Sequence, residues 1–293
     1  MLITAVWISL IGLAIWFSIL LTRDVLRHKK DLEGSSWVTT SIIGFVVDFF
    51  DTLGIGAFAP QIALLKFTKQ TDDRVMPGTL NVSNSLPALV EAIIFIRIIR
   101  VDPVTLILMV LSAMVGGIFG AGIVSKLPVR AVRLTIGAAL LLSAFFILAN
   151  KMNWIHGSGE STGLTGGKLV AGILINGVLG ALNTAGIGLY APCMAAVFAL
   201  GMSPAVAFPI MMGSCAFLMP PASAKFIREG AYNRKASFSM AVSGTIAVLI
   251  AAFLVKSLAL ETLKWVVLSV ILITSVVMLS AAFGQDKTRS IRR

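Results

Sequence analysis

The sequence predicts an all-α polytopic membrane protein, and its composition, the spacing of its charges and an internal repeat all favour that fold class. Of the 293 residues, 57% are hydrophobic and 13% are charged, about half the charged fraction of a soluble domain. Charges are absent from long stretches such as 103–125 and 169–224, and about 20 apolar residues cross a bilayer core as a helix. We interpret 2–22 as a retained first helix, because it lacks a basic n-region and a small-residue cleavage site.

A ten-residue segment occurs twice, and each copy interrupts a long apolar stretch. The copies are 51–60 (DTLGIGAFAP) and 183–192 (NTAGIGLYAP), 132 positions apart and identical at six of ten positions. Thr, Gly and Pro are poor choices for a plain membrane-spanning helix. Interruptions at matching points of two halves are typical of a transporter site at a repeat interface.

The repeat predicts one extra N-terminal helix followed by two inverted repeats, each a broken, re-entrant hairpin and three spanning helices. An odd number of spans per repeat gives the two repeats opposite orientations in the membrane. The predicted units are an N-terminal helix with a cytoplasmic basic loop (1–36), the first repeat (37–150), an extracytoplasmic linker (151–168), the second repeat (169–284) and a basic cytoplasmic tail (285–293).

The distribution of basic residues predicts the orientation, because Lys and Arg accumulate in cytoplasmic loops. If 37–66 and 169–199 are re-entrant, 18 Lys and Arg face one side and 6 the other; if both cross fully, the split is 16 to 8. Both arrangements place the N-terminus outside the cell and the C-terminus in the cytoplasm. We expect the protein to lie in the cytoplasmic (inner) membrane. The re-entrant form fits the bias better, and the fully spanning form stays open.

The two interruptions are predicted to bind one small anion. Glycines permit a sharp break and close approach of a ligand to backbone, and the half-helix that follows begins with unpaired N–H groups and a positive dipole end. A polar helix start at 81–85 is expected to line the same cavity. The predicted substrate-binding residues are Thr52, Gly54, Gly56, Asn81, Asn183, Thr184, Gly186 and Gly188.

The alternative is that these glycines only allow helices to pack closely, as small residues do in membranes. Two copies in register, each with Thr before and Pro after, favour binding over packing. Gly116 and Gly120 form a lone GxxxG, and there we keep the packing interpretation.

Two carboxylates precede the first interruption, and the second copy has none at the corresponding positions. Asp48 and Asp51 lie three apart on one helical face, and a buried charge costs several kcal/mol in a membrane. One hypothesis is that Asp51, or else Asp48, is protonated when the anion binds and couples transport to protons. The alternative, equally open, is that Asp51 caps the break and Asp48 faces a cytoplasmic vestibule. Glu91 is expected to pair with Arg97 or Arg100 in a structural role.

Other functional classes find little support. The formal charge of +11 fits cytoplasmic loops better than a nucleic-acid partner, because no basic, aromatic-interleaved module exists. Cys193 and Cys215 lack a metal-ligand spacing, so we predict no metal and no cofactor. The absence of a His/Cys cluster and of a Ser-His pairing argues against an enzyme. The bilayer and a small anion are the expected partners, and the oligomeric state stays open.

The residues 44–60 (GFVVDFFDTLGIGAFAP) and their echo at 177–192 resemble the TauE/SafE family of sulfite exporters. The resemblance spans about 37–284, with the first helix outside it, although many members carry a tip richer in glycine. It implies transport of small sulfur-containing anions such as sulfite, sulfoacetate or taurine. We therefore expect a secondary transporter of sulfite or an organosulfonate; the alternatives are an anion channel and a transporter of small carboxylates.

Overall fold

The computed structural model describes residues 2–72, 74–120, 161–184 and 188–256, together with single positions between 134 and 152 and between 265 and 280. The predicted helices at 128–150 and 263–284 and the tail 285–293 lie outside the continuously described ranges. The organisation into units therefore stays a prediction.

The continuously described ranges are almost entirely helical. The helices are α1 (Leu2–Arg27), α2 (Trp37–Thr52), α3 (Phe58–Phe67), α4 (Met76–Ile98), α5 (Pro103–Val115), α6 (Gly166–Thr184), α7 (Tyr190–Ala199), α8 (Ala207–Glu229) and α9 (Arg234–Lys256). A π-helical turn at Gly116–Gly120 continues α5, and a 3₁₀ turn at Pro204–Val206 precedes α8.

Within those ranges, five helical segments are long and apolar enough to cross a membrane. They are Ile3–Arg27, Met76–Ile98, Gly166–Thr184, Pro204–Glu229 and Arg234–Leu254. The predicted all-α polytopic membrane fold is confirmed at this level.

Local sequence signals set several of the helix ends. The Ser36 hydroxyl accepts a hydrogen bond from the Thr39 N–H and caps α2, and the Asp102 carboxylate does the same for α5. Both are favoured N-cap residues because their oxygens satisfy otherwise unpaired N–H groups. Helix α8 ends at Gly230, whose left-handed φ of 61° is accessible to glycine at little cost.

Helices α4 and α8 form the centre of the bundle, and α1 lies at its periphery. In the apolar windows of α4 and α8, 78% of residues are buried, against 11% in α1. The Phe95 and Phe208 rings stack with centroids 5.4 Å apart, and the Ser85 and Ser223 hydroxyl oxygens lie 2.8 Å apart. Since residue numbers rise along α4 as they fall along α8, the two helices run antiparallel.

Helices α2 and α9 pack side by side in the same direction. The Thr40 hydroxyl bonds the Ser239 hydroxyl, and further along a Cβ on Gly244 would collide with the Asp48 carboxylate. Small residues allow this close backbone approach. The two helices therefore form a tight parallel pair.

Helices α5 and α6 form a second parallel pair of the same kind. The Asn176 side-chain amide donates to the Met109 carbonyl at 2.7 Å, and a Cβ on Gly180 would collide with the Ala113 carbonyl. Gly116 faces the Gly177 backbone with no room for a side chain. The packing interpretation of the GxxxG is thereby confirmed for Gly116.

The ends of the α2–α3 segment meet at one end of the bundle. The Ser36 N–H, just before α2, donates to the Gln70 side chain after α3 at 2.6 Å. The Asn233 amide, just before α9, donates to the Gln70 carbonyl at 3.1 Å. The chain therefore enters α2 and leaves α3 beside the start of α9.

The ends of the α6–α7 segment also meet, close to the start of α5. The Ser203 N–H, after α7, donates to the Ser161 carbonyl before α6 at 2.9 Å. The Asp102 N–H, at the start of α5, donates to the Thr162 carbonyl at 2.8 Å. Because α4 runs from the first group of ends to the second, the two groups lie at opposite ends of the bundle.

Gly44→Ala is expected to destabilise the protein, because its Cβ would lie 2.6 Å from the Met240 Cα. Overpacking of this kind costs about 1–3 kcal/mol. Thermal unfolding of the purified protein in detergent measures the loss. Gly12→Ala is the control, since a Cβ there meets nothing within 4 Å; equal unfolding temperatures for the two variants would contradict the proposed close packing.

Candidate functional site

Both copies of the repeated segment separate two helices, as predicted. The first break lies between Thr52, the last residue of α2, and Phe58, the first of α3. Gly54 and Gly56 in this break have φ angles of 98° and 89°, which residues other than glycine rarely adopt. The second break lies between α6 and α7, and its residues 185–187, including Gly186, lie outside the described residues.

The two breaks line one small cavity between α4 and α8. Its volume is about 20 Å³, which is room for about one water molecule. The first copy contributes Asp51, Gly56, Ala57 and Phe58, and the second contributes Asn183, Gly188, Leu189 and Tyr190. Helices α4 and α8 complete the lining with Asn84, Ala88, Cys215 and Met219.

The cavity lies at the N-terminal ends of the half-helices α3 and α7. Their N-cap residues, Ala57 and Leu189, provide no side-chain hydrogen bond to the first turn. Pro60 and Pro192 fall in those first turns, where a missing N–H costs little. Two helix starts with positive dipole ends, neither capped by the side chain of its own N-cap residue, thus border the same space.

Two buried polar atoms at the corresponding positions of the copies have no hydrogen-bond partner. They are the side-chain nitrogen of Asn183, a donor, and Oδ1 of Asp51, an acceptor. The backbone N–H groups of Gly56 and Ala57 point toward the Asp51 carboxyl group. A buried polar group without a partner is costly, so the cavity holds unused capacity for both donating and accepting hydrogen bonds.

Glu91 connects the two breaks. Its fully buried carboxylate accepts a hydrogen bond from the Thr52 hydroxyl at 2.9 Å and another from the Tyr190 hydroxyl at 2.6 Å. The expected pairing of Glu91 with Arg97 or Arg100 is therefore wrong. Its side chain points into the bundle, whereas the Arg97 guanidinium lies over the Trp7 ring.

Asp48 lies behind the cavity in a buried amide network. The Gln61 side-chain nitrogen donates to Asp48 at 3.3 Å and to the Asn84 side-chain oxygen at 3.1 Å. Asp48 is fully buried because its helical face packs against α9, where Gly244 leaves space for the carboxylate. The alternative that Asp48 faces a cytoplasmic vestibule is therefore wrong.

Three of the predicted binding residues line the cavity. Gly56 and Gly188 contribute backbone at the two breaks, and Asn183 contributes its side chain. These residues come from both copies of the repeat, so the structure brings the two predicted tips together.

The other predicted binding residues in the described ranges are buried or engaged elsewhere. The Thr184 hydroxyl donates to the Ala181 carbonyl at 2.9 Å, and the Asn81 amide donates to the Pro77 carbonyl at 2.9 Å. A Cβ on Gly54 would lie 2.7 Å from the methyl group of Met194. Thr52 donates to Glu91, as described above.

Sequence reasoning missed Tyr190 and Gln61 and misjudged Glu91. Tyr190 stands where the first copy has Phe58, and this small difference supplies the hydroxyl that Glu91 binds. Gln61 directly follows Pro60 in a half-helix whose one other polar residue, Lys66, lies in the last turn. A polar side chain in the first turn was an available signal for a buried network.

The residues that the structure describes contain no group of three or more His, Cys, Asp or Glu that could hold a metal ion. Asp48, Asp51 and Glu91 are buried close together without converging on one point. Cys193 and Cys215 are both free and buried. The polar side chains that line the cavity are the Asp51 carboxyl group, the Asn84 and Asn183 amides, the Tyr190 hydroxyl and the Cys215 thiol.

The spanning helices and the paired breaks define a polytopic integral membrane protein of the transporter class. A family model described as Sulfite exporter TauE/SafE matches residues 1–147, half of the chain, and the chain belongs to that family. Searches of curated proteins and of solved structures found no match. The match begins at residue 1, so the expectation that the first helix lies outside the resemblance is wrong.

Tyr190→Phe is expected to destabilise the protein by about 1–3 kcal/mol, the usual cost of leaving a buried polar group without its hydrogen-bond partner. The substitution also removes one of the two hydrogen bonds that connect Glu91 to the breaks, so the transport rate should fall. Tyr232→Phe is the control, because that hydroxyl bonds Asp24 at 2.6 Å far along the chain from either break. Thermal unfolding and transport in proteoliposomes measure both effects; equal transport by the two variants would contradict a role for the Tyr190–Glu91 bond.

Proposed function

We propose that the protein is a secondary transporter that moves sulfite or an organosulfonate across the cytoplasmic membrane. The observation that carries this proposal is the cavity shared by the starts of α3 and α7, one from each copy of the repeat. Paired helix starts suit an anion because their N–H groups and dipoles are aligned toward it. Membership of the TauE/SafE family supports the sulfur-containing substrate class.

The proposed binding groups are the Asn183 amide and the backbone N–H groups in the first turns of α3 and α7, beside Gly56 and Gly188. Each is a hydrogen-bond donor, and sulfite and sulfonate oxygens are acceptors. Thr52, Gly54 and Thr184 then act through the shape of the breaks, and Asn81 through the polar face of α4. The position of Gly186 in the repeat assigns it the same role as Gly54.

Asp51 supports proton coupling. An ionised carboxylate at the cavity would repel the anion, so anion binding favours the protonated form of Asp51. In the described part of the chain, none of the buried carboxyl groups Asp48, Asp51 and Glu91 has a basic partner. One proton taken up with each anion removes this repulsion and links transport to the proton gradient. Asp48 is the second candidate, because its unpaired Oδ2 lies in the same polar cluster.

The size of the cavity supports alternating access. A space of about 20 Å³ is too small for sulfite, so the breaks must separate for the anion to enter. A rigid bundle with a moving gate is the usual form of such transport.

Several contacts support the proposed inverted repeats of re-entrant hairpins. The corresponding helices α4 and α8 run antiparallel, as an axis in the membrane plane requires. The parallel pair α2–α9 corresponds at the 132-residue offset to the pair α6–α5. The ends of α2–α3 meet at one end of the bundle through Ser36 and Gln70, and those of α6–α7 at the other through Ser161 and Ser203. The basic loops at the first end then face the cytoplasm, with the N-terminus outside.

A thermal-shift panel on the purified protein tests the substrate class, with sulfite, sulfoacetate, taurine, acetate and succinate as ligands. Sulfite or a sulfonate is expected to raise the unfolding temperature, because a ligand that binds only the folded state stabilises it. Asn183→Asp should weaken the affinity at least about tenfold, since it places a second carboxylate at the cavity. Gly34→Asp is the control for an added charge elsewhere, because Gly34 is exposed and a side chain there meets nothing within 4 Å. Stabilisation by carboxylates alone would contradict the sulfur-anion proposal.

Transport by Asp51→Asn is expected to lose its dependence on pH. The wild-type rate should rise as external pH falls, because protonation removes the charge that repels the anion. The amide is neutral at every pH, so the variant should bind the anion at pH 8 as well as at pH 6. Asp31→Asn in a loop is the control. Proteoliposome uptake of sulfoacetate, whose charge is constant from pH 6 to pH 8, measures the profile, and an unchanged profile in the Asp51 variant would exclude the coupling role.

A further inference from the structure

A second, larger cavity lies far from the breaks, at the basic end of the bundle. It is a cleft of about 610 Å³ between the C-terminal ends of α1 and α8. Its polar part is formed by Arg23, Arg27 and Arg228, and its apolar part by Trp16, Ile19 and Leu20. The cleft thus combines a positive end with an apolar end.

The other charged groups around the cleft are already paired. The Arg234 guanidinium lies 3.0 Å from the Asp24 carboxylate and 3.5 Å from the Glu33 carboxylate. The Glu229 carboxylate lies 4.0 Å from the Lys225 ammonium. The acidic residues at the cleft therefore have cationic partners of their own.

Three guanidinium groups remain without such a partner. Arg23, Arg27 and Arg228 are exposed, and within the described ranges none of them has an acidic partner. Arg23 and Arg27 are four residues apart and therefore share one face of α1. Guanidinium groups bind phosphate in a bidentate manner better than any other side chain. The positive end of the cleft is suited to a phosphate group.

The apolar end of the cleft extends along α1 toward the middle of this candidate membrane span. Trp16 is 41% exposed and Ile19 is 51% exposed, and only 11% of the apolar window of α1 is buried. From Trp16 to Arg27 the helix rises about 16 Å. A ligand that fills the cleft must therefore carry an anionic head and an apolar chain.

We propose that this cleft binds an anionic phospholipid, with the phosphate on Arg23, Arg27 and Arg228 and an acyl chain along Trp16 and Ile19. Basic pockets at the boundary of membrane helices bind such head groups through charge attraction. The bound lipid holds the peripheral helix α1 against α8. This site is independent of the anion that the protein transports.

Native mass spectrometry and thermal unfolding of the purified full-length protein test the proposal. The probes are phosphatidylglycerol, phosphatidylcholine, glycerol phosphate and sulfite. Phosphatidylglycerol is expected to remain bound and to raise the unfolding temperature, whereas phosphatidylcholine should do neither. Equal stabilisation by glycerol phosphate or by sulfite through the same arginines would show a site for a soluble anion and overturn the proposal.

The triple variant Arg23→Gln, Arg27→Gln, Arg228→Gln should bind phosphatidylglycerol at least about tenfold more weakly. The matched control is Lys29→Gln, Lys30→Gln, Arg74→Gln, which removes the same charge from exposed positions outside the cleft. Each single arginine variant is measured too, so that poor folding of the triple variant leaves the test intact. Trp16→Ala should weaken phosphatidylglycerol binding as well. Equal lipid affinity of the triple variant and its control would overturn the proposal.

Discussion

The buried carboxylate of Glu91 holds the two helix breaks in register. It accepts one hydrogen bond from Thr52, where α2 ends, and one from Tyr190, where α7 begins. Inside a protein a hydrogen bond is stronger than the same bond in water, and its loss leaves a buried polar group without a partner. The shape of the cavity between the breaks therefore depends on a single side chain of α4.

The two copies of the repeat are alike in backbone and different in chemistry. Both break a helix and both begin a new one at the cavity. Asp51 and Asn183 both line the cavity, the first with an unpaired acceptor and the second with an unpaired donor. Phe58 corresponds to Tyr190, and only the tyrosine reaches Glu91. In our proposal the backbone that both copies share binds the anion. Proton uptake belongs to the first copy alone, because only that copy carries Asp51.

Much of the fold was predictable from residues close together in the sequence. The apolar stretches and the glycines of the repeat act locally, and they marked the helices and their breaks. The Glu91 bonds join residues 39 and 99 positions apart, and periodicity carries no information on such pairs. The burial of Asp48 likewise depends on Gly244, which belongs to a distant helix. The position of the cavity at the two breaks could therefore be predicted from the sequence. The distant side chains that complete the cavity could not.

The parallel pairs α2–α9 and α5–α6 have a consequence for biosynthesis. Each pair joins a helix from the first half of the sequence to one from the second, through contacts so close that Gly44 and Gly180 have no room for a side chain. The chain is made from its N-terminus, so α2 enters the membrane long before residues 234–256 exist. Until then the face of α2 that packs against α9, with Thr40 and Gly44, lacks the helix that covers it. Cotranslational insertion of the first half must therefore be followed by a late step that closes both pairs.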